Sequence, residues 1–221
     1  MKKIALIVAG GNGSRMKNVT PKQFLFLKDK PVLYYALQAF SDAYEDMEFI
    51  LVLPEEHIRS GKEIVDAYFD PSRIQITAGG RTRFHSVKNG LQLIQEESIV
   101  FVHDGVRCLV AVDLIRRCYE TALEKGNAIP AVDCWDSVRM LTANGNEVVE
   151  RNKLKLIQTP QTFHSKILLP AFNIDYKDRF TDEATVVEAF GLAIHLVQGD
   201  KKNIKITTPE DLKVAELLLA E

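Results

Sequence analysis

Arg15 and Lys22 stand just past a glycine-bearing loop, Gly10-Gly11-Asn12-Gly13, which itself follows the apolar run Ile4 to Ala9. Glycines directly after a strand let backbone N–H groups approach an anion without side-chain obstruction. Neither standard phosphate motif fits the spacing. Counted from Gly11, the third glycine of a dinucleotide fingerprint falls on Met16, and counted from Gly10, the second glycine of a P-loop falls on Arg15. Two cations beside such a loop suit a different demand. A triphosphate that loses pyrophosphate builds negative charge at its α-phosphorus and bridging oxygen, and preorganised cations there are a mechanism in themselves.

A second candidate is Asp104, which ends the run Ile99-Val100-Phe101-Val102-His103. Ligands of α/β sheets gather at the carboxyl ends of strands, where a carboxylate takes either a Mg²⁺ ion or a substrate hydroxyl. Mg²⁺ typically uses one or two carboxylates plus phosphate oxygens, so no dedicated cage is expected, and no H-E-x-x-H or carboxylate-rich loop is present.

The elements that must hold these residues follow from periodicity. Lys3–Val8, Glu48–Leu53, Ile74–Thr77, Ile99–His103 and Asn127–Val132 read as strands. Pro31–Ala43, His57–Phe69, Arg83–Glu96 and Val112–Lys125 between them carry the helical period. Such alternation predicts an α/β fold: a single Rossmann-like domain over residues 1–221 with a mostly parallel central sheet. After Val132 the rhythm changes. Ser137–Leu141 and Glu147–Glu150 flank an Asn144-Gly145 pair, a hairpin signal, so a protruding β-hairpin arm is expected over approximately 136–152. A two-stranded ribbon is marginal alone in water, which favours packing against the same ribbon of a second copy, a homodimer; folding back on its own domain is the other option. Helices are expected at Ser165–Phe172, Thr181–Phe190 and Pro209–Leu219, with a strand at Ile194–Gln198.

Composition sets the outer bounds. The chain of 221 residues is 46% hydrophobic, enough to bury about 70% of its unfolded surface without a disulfide or structural metal. Lys plus Arg number 28 against 30 Asp plus Glu, so no bulk attraction for nucleic acid or a membrane surface is expected. Cys108, Cys118 and Cys134 show no C-x-x-C spacing and suit reduced thiols in a cytoplasm. Ile4 to Ala9 is too short for a signal-peptide core, and no apolar run approaches a bilayer span.

Six ordered motifs carry a resemblance across nearly the whole chain. They are Gly10–Met16 with Pro21–Phe24, Gly79–Val87, Val102–Arg107, Arg151-Asn152 with Thr159–Gln161, Thr181–Ala184 and Asn203–Lys205. Together they resemble the nucleotidyltransferases that attach CMP to a sugar-alcohol phosphate. The resemblance implies that Arg15 and Lys22 hold the CTP phosphates, while Ala9, Gly10, Gly80 and Ser86, with Gly11 and Gly13 of the loop, bind the nucleotide. It implies that Asp104, Arg107 and Ser137 contact a polyol phosphate acceptor, and that Arg151 and Lys205 position its phosphate. A divalent cation, Mg²⁺ or another, is implied with CTP. Cys108 departs from the proline common after that arginine, and Arg81 replaces an acidic residue of some relatives, leaving only its backbone for a base contact. Thr181–Ala184 favours a methylerythritol-phosphate acceptor over ribitol 5-phosphate. A catalytically silent nucleotide-binding regulator on the same fold is the alternative from another class. Arg151, at the end of the arm, could serve the site of a neighbouring copy.

Overall fold

The computed structural model describes residues 1–10 and 20–220. Its first half alternates strand and helix: β1 (Lys2–Val8), β2 (Phe26–Leu27), β3 (Lys30–Pro31), α1 (Val32–Ala43), β4 (Met47–Leu53), α2 (Ile58–Tyr68), β5 (Ile74–Ala78), α3 (Arg83–Leu91), β6 (Ser98–Asp104), α4 (Val112–Lys125) and β7 (Asn127–Asp133). The second half contains β8 (Val138–Thr142), β9 (Gly145–Val149), β10 (Lys155–Ile157), β11 (Gln161–His164), α5 (Ser165–Ala171), α6 (Glu183–Ala189), β12 (Leu196–Gln198) and α7 (Pro209–Leu218).

The central sheet runs β10-β7-β11-β6-β1-β4-β5, with β12 alongside β7. β1 pairs in parallel with both β4 and β6, and β4 with β5, so the expected mostly parallel sheet is present. Its side chains sort by a period of two. Ala5, Ile7, Ile99 and Phe101 enter one core with α1, α2 and α4, whereas Ile4, Leu6, Val100 and Val102 enter the other with α3, α5 and α6. Burial on both faces explains why these strands read as continuous apolar runs rather than alternating ones.

Three differences from expectation have local causes. The helix beginning at Arg83 stops at Leu91, not Glu96, because Leu93 and Ile94 turn back onto the carbonyls of Gly90 and Leu91 while Ile94 stays buried. β11 inserts antiparallel between β6 and β7, and β10 pairs further along the same edge of β7, opposite Ala131–Asp133, while β12 takes the other edge; neither β10 nor β11 is long enough to show a period. In the hairpin, Thr142 faces Gly145, so the loop residues are Ala143 and Asn144 rather than the Asn-Gly pair, and Gly145 takes the positive φ of 133° just beyond them. The arm pairs with itself as a separate two-stranded sheet. Met140, Leu141 and Val148 are exposed on it. Among the described residues no helix is long and apolar enough to cross a membrane.

Candidate active site

At the carboxyl edge of β1, β4, β5 and β6 lies a cavity of about 720 Å³, within the range of small-molecule sites. Ala9, Gly10, Lys22, Gly80, Ser86, Asp104 and Lys205 all line it. Gly11, Gly13 and Arg15 lie outside the described residues.

One wall is a turn made largely of backbone. Thr82 caps α3 through its side chain, and Ser86 one turn later points back: its Oγ accepts from the Gly80 N–H at 3.0 Å and lies 3.0 Å from the Thr82 carbonyl, to which it donates. The Ser86 hydroxyl is therefore engaged in shaping the turn. Gly80 is required by space, since a Cβ there would lie 2.4 Å from the His85 Cβ; at Gly10 the nearest atom would be an ordinary 3.6 Å away. Lys22, also in the lining, opens a short 3-10 turn, Lys22–Phe24, whose buried Gln23 donates from Nε2 to the Ala9 carbonyl at 2.8 Å. Gln23 thereby ties the segment carrying Lys22 to the end of β1.

The other wall is ionic. Asp104 Oδ2 accepts from Lys205 Nζ at 2.8 Å, and its Oδ1 lies 3.2 Å from Arg83 Nε and 3.1 Å from Arg83 Nη2. Burial alone would raise the Asp104 carboxyl, but the charges of Arg83 and Lys205, with Arg107 behind them, outweigh it and hold the group well below the usual carboxylate range. A carboxylate ringed by three cations repels a further one. Three cations already hold Asp104, and among the described residues no cluster of three His, Cys, Asp or Glu side chains could hold a metal, so a Mg²⁺ ion here would need the phosphate oxygens of a bound nucleotide.

Lys205 is placed by the chain around it. Ile206 donates to the Val106 carbonyl at 3.0 Å, and Arg107 Nη1 to the Asn203 carbonyl at 2.8 Å, which sews the Asn203-Ile204-Lys205 segment to the loop after β6. Arg107 is consequently half-hidden behind Asp104 and is not among the residues that line the cavity. His103 is buried beneath this loop. Its ring lies 3.0 Å from both the Arg107 carbonyl, through Nε2, and Thr159 Oγ1, through Nδ1, while Thr159 Oγ1 accepts the Asp104 N–H at 3.1 Å. All three bonds are satisfied by a neutral ring protonated at Nε2, and burial lowers its pKa to about 4.

Arg151 and Ser137 are elsewhere. Both are exposed, neither lines the cavity, and the Arg151 guanidinium donates to the Trp135 carbonyl at 2.7 Å. Sequence reasoning passed over two residues that the fold brings to the ionic wall, Arg83 and Glu183. Their pairing spans 100 residues, and the only signal was that each sits inside a quoted motif.

A mostly parallel sheet gathers a glycine turn and the cations Lys22 and Lys205 around one cavity at its carboxyl edge, an arrangement suited to a phosphate-bearing ligand. Comparison with known proteins narrows this. The family model for 2-C-methyl-D-erythritol 4-phosphate cytidylyltransferase matches residues 3–221. The protein of that name from Phocaeicola vulgatus is 48% identical over 99% of this chain and 100% of its own. The crystal structure of 4-diphosphocytidyl-2C-methyl-D-erythritol synthase from Anaerococcus prevotii superposes with a TM-score of 0.84 at 28% identity, covering 100% of this chain and 97% of that one. The bifunctional IspDF of Campylobacter jejuni gives a TM-score of 0.80 at 33% identity, over 96% of this chain; this chain spans 53% of that longer protein. The chain belongs to the 2-C-methyl-D-erythritol 4-phosphate cytidylyltransferase family.

Proposed function

We infer that the protein transfers CMP from CTP to 2-C-methyl-D-erythritol 4-phosphate, releasing pyrophosphate, in the non-mevalonate route to isoprenoid precursors. A phosphate oxygen of the acceptor attacks the α-phosphorus of CTP, the bond from that phosphorus to the β-phosphate bridge breaks, and pyrophosphate carries the electron pair away. The nucleophile is already ionised, so no general base is needed, in keeping with a His103 occupied entirely by structural bonds. The observation that carries the reading is that Lys22 and Lys205 line one cavity, where two anions must be brought together.

In this reading Arg15 and Lys22 hold the triphosphate, and Ala9, Gly10, Gly11, Gly13 and the Gly80–Ser86 turn hold the nucleoside. Asp104 accepts an acceptor hydroxyl, Lys205 attracts its phosphate, and Arg107 keeps the Asp104 loop in place. The divalent cation expected with CTP is left to the triphosphate oxygens. We further propose that residues 1–221 form one domain, that the exposed arm pairs with that of a second copy, and that Arg151 and Ser137 reach the acceptor of the partner. Two buried thiols, Cys108 and Cys118, each pushed by burial up to about 12, suit a reducing cytoplasm.

A panel of CTP, UTP and ATP against methylerythritol phosphate and ribitol 5-phosphate, scored by pyrophosphate release with Mg²⁺, tests the assignment. CTP with methylerythritol phosphate should turn over fastest. Faster turnover of ribitol 5-phosphate would reassign the acceptor, and tight CTP binding with no pyrophosphate from any pair would favour a silent regulator.

A further inference from the structure

Thr181-Asp182-Glu183-Ala184 has no part in the chemistry described so far, yet it builds an unusual contact. Asp182 caps α6 by accepting from the Thr185 N–H at 2.9 Å, and the Thr185 hydroxyl returns to the Asp182 backbone. Gln161 of β11 anchors the same turn twice: its Nε2 donates to Asp182 Oδ2 at 2.9 Å, and its Oε1 accepts the Ala184 N–H at 2.8 Å. Because Gln161 lies opposite Val102 of β6, the start of α6 is fixed relative to the strand that ends in Asp104. The residue this delivers is Glu183, 1% exposed.

Glu183 receives the fork of Arg83: Nη1 meets Oε1 and Nη2 meets Oε2 at 3.1 Å. A bidentate pair sets the plane of a guanidinium as well as its position. The remaining edge of Arg83, Nε and Nη2, is left facing Asp104 Oδ1, so that only Oδ2 turns toward Lys205. A buried ion triad gains little stability over apolar residues of similar volume. Its place beside the cavity points to a role in the site.

We propose that Glu183 and Arg83 are positioning residues for acceptor recognition, with Glu183 clamping Arg83 and Arg83 fixing the rotation of the Asp104 carboxylate and, through it, the Lys205 ammonium. The inference rests on the reading that Asp104 and Lys205 serve the acceptor. It assigns the otherwise idle α6 motif to the acceptor half of the site, leaving the nucleotide half to the Gly80–Ser86 turn.

Full-chain Glu183→Gln, which keeps the shape and one acceptor oxygen, should lower kcat/KM for the polyol phosphate about tenfold while the KM for CTP stays within about twofold. Arg83→Lys keeps the charge but loses the fork, and should lose more, about 30-fold or beyond, on the same substrate. The decisive measurement is the cycle with Asp104→Asn. If Glu183 acts through Asp104, adding Glu183→Gln to that background changes acceptor kinetics less than about twofold. Equal losses in both backgrounds, a loss falling on CTP instead, or wild-type kinetics in both Glu183→Gln and Arg83→Lys would overturn the proposal. Should Asp104→Asn alone leave acceptor kinetics untouched, the acceptor reading fails first, and the route through Asp104 with it. Thermal melts of each variant identify global unfolding, and Arg83→Lys carries the same cycle if Glu183→Gln proves unstable.

Discussion

Lys205 and Arg151 are both cations expected at an incoming phosphate, and the molecule holds them in opposite ways. Lys205 grips Asp104 at 2.8 Å, and its segment is sewn to the β6 loop by the Ile206–Val106 backbone bond and by the Arg107 side chain on the carbonyl of a fully buried Asn203. Arg151 follows a hairpin whose Leu141 is 85% exposed, and the carbonyl of the exposed Trp135 holds it. The core supplies every restraint on the first cation and almost none on the second. A site assembled from both therefore has one half preorganised by folding and another that awaits a surface to pack against.

The strongest way to break this comparison is to remove the preorganised cations. Lys22→Ala and Lys205→Ala should each cut kcat about 10²- to 10³-fold, about 3 to 4 kcal/mol, because each would remove charge stabilisation made mainly in the transition state. Both side chains reach solvent at the cavity, so melting temperature should change little. Steady-state kinetics decide it: normal kcat with only a raised KM would mean that they bind substrate and transition state alike.

Acid should loosen the preorganised half through His103. Its folded-state pKa is lowered by burial to about 4 from an ordinary value near 6.5. A group lowered in this way contributes stability that is fully present above the unfolded value and is lost as pH falls toward the folded one. Between pH 6.5 and 4 the loss should approach about 3 kcal/mol. Urea unfolding of the wild type and of His103→Gln across that window should differ in slope by this amount. Parallel profiles would show that the ring is not buried neutral.

How much of this contrast the sequence revealed depends on how far each restraint reaches along the chain. β1, β4, β6 and α4 were legible because a strand buried on both faces is an apolar run and an amphipathic helix repeats every turn. Asp104 was legible because it ends a strand, and Lys22 because it lies in the segment that follows the glycine loop after β1. β10 and β11 were not, being three and four residues long and defined by pairing with strands already placed. The same blindness hid Arg83 and Glu183. Whether a charged side chain turns to the cavity or to a buried neighbour is decided by a partner up to 100 residues away, and no local pattern records it. The arm shows the converse: its existence followed from two short β runs, but its turn shifted by one residue because Ala143 and Asn144 close the ladder and Gly145 absorbs the unusual dihedral.

The smallest expected effect sharpens the comparison most. Arg151→Ala should lower acceptor kcat/KM about tenfold, about 1.4 kcal/mol, less than the loss at Lys205 because a cation so weakly held by its own chain begins less preorganised. If the arm delivers it to a second copy, chains carrying Arg151→Ala and chains carrying Lys205→Ala should complement each other. In a mixed dimer, the cavity of the Arg151→Ala chain keeps Lys205 and receives Arg151 from its partner. Random pairing then restores about one quarter of wild-type activity, well above the mean of the two parents. If each Arg151 instead folds back to its own cavity, every cavity in the mixture lacks one cation, and mixing restores nothing. Co-expression with two affinity tags and isolation of the doubly tagged species separates these outcomes, because only assembly in trans leaves one cavity with both cations.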